Sequence, residues 1–167
     1  MAFPPHTWTY ELLTSALLGL LEWRGKPKAY ITYTTTQSLT DGAVTALNTA
    51  PTTVYDTDSM VDATNKRIKI TSPGWYVAVG QVVFAANSTG PRKVQIRRNG
   101  TLVGHSYVEP DTSTPCPGQA ATPPLLCTAG DYFDVTGQQG SGGALNTYNS
   151  TEGVSFLSVH MVDSATS

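Results

Sequence analysis

Charge is scarce in this 167-residue chain: 13% of residues are Asp, Glu, Lys or Arg, and the net charge is −2. Ten basic residues over this length form no footprint of the size nucleic acid requires. The one local cluster holds Arg92, Lys93, Arg97 and Arg98. Alternation around Val94 and Ile96 turns Lys93, Gln95 and Arg97 onto one solvated strand face. Cysteine is nearly absent, and the spacing of Cys116 and Cys127 matches neither a zinc pattern nor a C-x-x-C pair. The two flank a segment rich in Pro, Gly and Ala, which leaves two readings open: a disulfide closing that loop, or two free thiols. Long hydrophobic runs are also missing. The apolar stretch at 12–21 is too short to cross a bilayer. No Lys or Arg precedes it and no small-x-small site follows it, so it is not read as a secretory signal.

Catalytic vocabulary is equally thin. The three histidines, His6, His105 and His160, are scattered, and a serine or cysteine nucleophile needs a base beside it. There is no G-x-S-x-G elbow, no H-E-x-x-H and no phosphate-binding glycine loop. Asp56, Asp58, Asp62 and Asn65 offer oxygen ligands of the type a hard cation takes, but the spacing lacks the glycine and terminal glutamate of a calcium loop. Turn caps explain these acids better. The expectation is a protein that is not an enzyme and has no cofactor or metal, no nucleic-acid partner and no membrane insertion.

What is present is β-structure. Residues 67–100 contain three runs rich in Val, Ile and aromatics, broken by Ser72-Pro73-Gly74, by the stretch from Asn87 to Pro91, and by Asn99-Gly100. That pattern predicts an antiparallel meander. Further strands are predicted at 53–55, 102–108, 125–126, 132–135 and 154–162, with loops at 109–124 and 137–146. Ala129-Gly130-Asp131 reads as a tight turn. In the last strand, Val154 and Phe156 fall on one face, with Leu157 and Val159 on the other. Apolar residues on both faces place a strand in a sandwich core or at a subunit contact. Short strands at this spacing give an all-β sandwich or jelly roll.

Residues 1–28 differ from the rest. Thr9 suits a helix N-cap, Gly25 a C-terminal cap, and Pro27 forbids continuation. A helix from about residue 10 to 24 would align Leu13, Leu17, Leu20 and Leu21, with Leu12, Ala16 and Trp23 widening the stripe. So apolar a helix needs a partner, so the chain divides into an N-terminal docking segment, 1–28, and a β-domain, 29–167.

Four stretches in order resemble the C1q/TNF-like jelly-roll family. They are Ile70-Thr71-Ser72-Pro73-Gly74-Trp75-Tyr76; Val94, Ile96 and Asn99-Gly100; Leu126 with Gly130-Asp131-Tyr132 and Val135; and Ser155-Phe156-Leu157 with Val159. Ser158 stands where that family usually has glycine. The resemblance implies an antiparallel jelly roll that forms homotrimers, with the last strand at the threefold. Tyr76, Phe84, Phe156, Leu157 and Val159 are the candidate trimer interface.

The chain as a whole resembles virion structural proteins of tailed bacteriophages. The resemblance lies in residues 7–18, which begin Thr7-Trp8-Thr9, in Gln37-Ser38, in Asp56 to Asp62, and in Phe84-Ala85-Ala86-Asn87 with Gly90-Pro91-Arg92. The polar end usual for the first segment is replaced here by Leu18-Gly19-Leu20-Leu21-Glu22-Trp23. The resemblance implies a minor tail or fibre protein on the exterior of a phage particle. The alternative is a capsid decoration protein or head fibre. A secreted lectin-like module is the third reading, and it would need a signal sequence. Trp8, Leu12, Leu13, Leu17, Leu20, Leu21 and Trp23 are the candidate virion-docking set. Tyr107 and Glu109, and Tyr148 and Asn149, read as loop-tip residues suited to a host cell-surface glycan.

Overall fold

Two antiparallel sheets face each other in the computed structural model, which describes residues 25–150 and 153–165. The first is built from β1 (Lys28–Tyr33), β4 (Thr52–Asp56), β7 (Gly74–Phe84), β10 (Cys116–Ala121), β11 (Leu125–Cys127) and β14 (Ser155–Ser164), in the spatial order β10-β7-β14-β1-β4, with β11 also on β7. The second holds β3 (Thr45–Ala46), β5 (Val61–Asp62), β6 (Arg67–Lys69), β8 (Arg92–Arg98), β9 (Thr101–Val108) and β12 (Tyr132–Gln139), in the order β5-β6-β12-β8-β9, with β3 also on β12. A short ribbon pairs β2 (Ser38–Leu39) with β13 (Leu145–Asn146). Residues 1–24, and with them the whole predicted virion-docking set, lie outside the described residues.

The predicted meander is corrected. β6, β7 and β8 do not pair in succession; they alternate between the sheets, with β6 and β8 both on β12 and β7 on β10 and β14. The breaks at Ser72-Pro73-Gly74 and at Asn87 to Pro91 are crossings from one sheet to the other. A Pro/Gly break signals that a strand ends, but not which strand comes next to it. Asn99-Gly100 is a true hairpin turn. Both residues have positive φ, 51° and 78°, the type I′ geometry that suits a two-residue loop between Arg98 and Thr101.

A second correction concerns 109–124, read as a loop. Residues 116–121 form β10 despite Pro117 and Gly118. β10 lies at the end of its sheet's strand order, where a proline's missing N–H costs no ladder bond.

Alternation then builds the core. Ala29, Ile31, Tyr76, Ala78, Leu157 and Val159 point inward from the first sheet, and Ile68, Val94, Ile96, Phe133 and Val135 from the second, all fully buried. Truncating Leu157 to alanine removes packing on every side at once. We expect a loss of about 2–5 kcal/mol, read as a lower denaturation midpoint with an unchanged denaturant slope.

Candidate interaction face

The period-2 geometry of β14 divides the candidate interface in two. Leu157 and Val159 face the interior, together with Tyr76 and Phe84, and none of the four is more than marginally exposed. They are core residues of a single chain and offer no area to a neighbour, which corrects their assignment to a subunit interface. Phe156 alone of the predicted set lies on the outer side, followed along the strand by Ser158 and His160, all partly exposed.

Register shows what surrounds them. Ser158 stands opposite Tyr30 on β1 and Val79 on β7, while His160 stands opposite Lys28 and Val77. Tyr55 of β4 pairs with Tyr30. The rings form a continuous chain. Phe156 to Tyr30 is 5.5 Å in edge-on contact, Tyr30 to Tyr55 is 5.7 Å, and Tyr55 to His160 is 5.9 Å, again edge-on. Such tilted contacts suit the aromatic quadrupole and hold the rings in fixed orientations. Toward one end, Gln119 donates to Gln81 at 2.7 Å. Toward the other, Trp75 and Leu126 are cross-strand partners, 41% and 51% exposed. The sequence reading missed Tyr30, Tyr55, Val77 and Val79. The signal was available in the alternation of β14: the residues in phase with Phe156, rather than those next to it, mark the outer face.

His160 is the polar centre of this face. Its Nε2 lies 2.8 Å from the Tyr55 hydroxyl and 2.7 Å from the Ser158 hydroxyl. Burial, with Lys28 beside it, holds the imidazole below its ordinary value of 6.5.

The other candidate residues part company. Tyr107 is on the outer side of β9, in a strand and not at a loop tip, and Glu109 is exposed one residue past that strand's end. Tyr148 and Asn149 lie elsewhere, beside the first sheet: Tyr148 N donates to Val83 O at 2.7 Å, and Asn149 Oδ1 accepts from Ser155 N at 3.4 Å. The carboxylates of 56–62 serve three separate turns. Asp56 accepts from the backbone of Met60 and Val61, Asp58 from the hydroxyls of Thr71 and Ser72, and Asp62 from Asn65 and Arg67. Among the described residues, no three acids, histidines or cysteines gather as a metal site. Cys116 and Cys127 are free and buried. Their partners, Phe84 and Gly74, are the two ends of the 11-residue strand β7, so the thiols sit on the order of 30 Å apart at the usual rise of a strand. That excludes the disulfide reading.

Solved structures with this arrangement share little sequence with the chain. Eiger TNF from S. frugiperda superposes with a TM-score of 0.60 at 13% identity, covering 85% of this chain and 96% of that one. Murine APRIL gives 0.58 at 16%, covering 82% and 99%. The fold is a C1q/TNF-like jelly roll. The globular domain of zebrafish complement 1qA protein aligns with this jelly roll with a TM-score of 0.57 at 11% identity, covering 82% and 98%. No protein-family model matches the chain, and no curated protein does.

The state of His160 sets a pH dependence. The unfolded imidazole takes a proton near pH 6.5 while the folded one resists it. Below that pH the unfolded chain therefore binds more protons, and stability falls with acid. We expect the melting temperature to be flat above about pH 7 and to drop between about pH 6.5 and 5. His160→Gln, which keeps a partner for the hydroxyls, should flatten that part of the curve.

Proposed function

We propose that this chain is a virion surface structural protein of a tailed bacteriophage that self-associates as a homotrimer through the outer face of the β14 sheet. Residues 1–28 would fasten it to the particle. The observation that carries the self-association is the aromatic row Phe156–Tyr30–Tyr55–His160, with Val77 and Val79 beside it and the charges of Lys26 and Lys28 confined to its Tyr55–His160 end. Rings of this size return most when both sides are removed from water, and a charge-depleted, aromatic centre is the composition of an interface core. The C1q/TNF-like fold supports the same reading, since its resemblance implies trimers built around the last strand. A closed threefold arrangement uses one patch on every copy and leaves no unsatisfied end.

The attachment to a phage particle rests on the four sequence stretches that resemble virion proteins, and attachment to the tail as a minor tail or fibre protein follows that resemblance. The capsid-decoration or head-fibre reading draws on the compactness of the domain: it carries no repetitive shaft among the described residues. Imaging of labelled particles separates the two.

Mass measurement tests the core of the proposal. The full chain should sediment as three copies. Phe156→Glu would bring like charges together at a desolvated contact and should give single chains that remain folded by circular dichroism. A wild-type chain that stays single at micromolar concentration defeats the reading. Removing residues 1–28 should keep the trimer and lose binding to particles.

A further inference from the structure

The outer side of the second sheet holds the most exposed large ring among the described residues, Tyr107, at 67%. It stands opposite Lys93 in the register, and the Lys93 ammonium lies 5.2 Å from the ring centre. His105 meets the same ring edge-on at 5.8 Å. Beside it opens a pocket of about 270 Å3. Its walls come from three places distant in sequence: Gly42, Pro91, and the stretch from Gln138 to Gly140.

Each wall is pinned by buried polar groups. Arg92 is fully buried and has no acidic partner among the described residues. Its guanidinium instead donates to the carbonyls of Asn87, Thr89 and Gly90 at 2.8 to 3.1 Å, and to Asn87 Oδ1 at 3.0 Å. That cage sets the course of the chain into Pro91. Gly90 has φ +70°, and a Cβ there would fall 1.7 Å from the Gly140 carbonyl oxygen, so only glycine lets the two walls meet. Gly140 N then donates to Pro91 O at 3.0 Å. Gln139, also buried, donates to Leu39 O and Gly143 O and accepts from Ser141 N. Gln138 donates to Gly42 O at 2.9 Å. Nine hydrogen bonds hold the walls of this shallow surface pocket, so a ligand would find them already in place.

The chemistry of the pocket narrows the ligand. A solvent-facing phenol ring beside Pro91, Gly42 and Gly140 suits the C–H face of a sugar, and the Lys93 ammonium is the polar group left to meet its substituents. The volume lies near the small end for ligand pockets, roughly 300 Å3, and admits one ring. Across the sheet, Arg97 is matched by Asp134, but Lys93 stands opposite the neutral Gln138 and has no carboxylate partner among the described residues. Glu109 is not part of the wall. An acidic substituent would complete Lys93 with a charge-assisted hydrogen bond.

We infer that the Tyr107–Lys93 pocket is a binding subsite for a saccharide ring bearing a carboxylate or phosphate group. The site is on the sheet opposite the proposed trimer face, so it stands or falls separately from self-association.

Calorimetric titration of the full chain with oligogalacturonate, with phosphomannan and with phosphate-free mannan tests it. Binding of either acidic probe, with the neutral mannan at least about tenfold weaker, is the expected result; which acidic probe binds tells carboxylate from phosphate. Lys93→Gln should weaken the acidic probe about tenfold or more, and Tyr107→Ala should abolish binding, both with melting temperatures near that of the parent because Tyr107 is exposed and Lys93 is only partly buried. Tyr148→Ala should bind as the parent does. No binding of any probe, equal binding of the neutral mannan, or binding that survives both substitutions overturns the inference. A trimer that binds nothing refutes this site alone, whereas a single chain that binds the acidic probe refutes only the self-association.

Discussion

A central strand with apolar side chains on both faces must be covered twice, and β14 imposes that demand on the rest of the molecule. Its inward residues, Leu157 and Val159, are met by the second sheet across the core, which fixes the distance and alignment of the two layers. Among the described residues, no layer lies above its outward side chains. Instead they are joined sideways by Tyr30 and Tyr55 into a ring-to-ring row, which lowers the apolar area left to water without removing it. The interior of the domain and the proposed contact between copies are therefore two consequences of one ten-residue strand.

The two sheets divide their labour. The outer face of the first is aromatic and almost uncharged. The outer face of the second carries Lys93, Arg97, Asp134 and Gln138, all partly exposed, around Gln95 and Thr136, which are buried despite the expectation that Gln95 lies on a solvated face. Segments at one end of the sandwich tie the layers together. Thr147 N bonds Gln37 O, Ala85 N bonds Asn146 O, and Asn87 N bonds Asp111 O. The pinned pocket belongs to this same bonded network, which explains how so small a cavity comes to have rigid walls.

Local chemistry was legible in the residues. The Asn99-Gly100 hairpin, the turn at Gly130 and the last strand came from turn types and alternation, which act over a few residues, and the jelly roll from the resemblance of four short motifs to a known family. What depended on distant partners was not. β6, β7 and β8 read as neighbours because a Pro/Gly break looks alike whether the chain doubles back or crosses to another sheet. β10 was hidden by Pro117 and Gly118, which are tolerated only because of its edge position. Tyr76 and Phe84 looked fit for a contact between subunits until the second sheet was seen to cover them. The pocket beside Tyr107 draws on Gly42, Pro91 and Gly140, and no spacing rule links those three.

The two sulfurs sit at opposite ends of β7, each packed into the core as a thiol, and no bond joins them to each other. The scaffold is thus indifferent to redox surroundings. It needs no oxidant to reach its final form and forfeits no cross-link to a reductant.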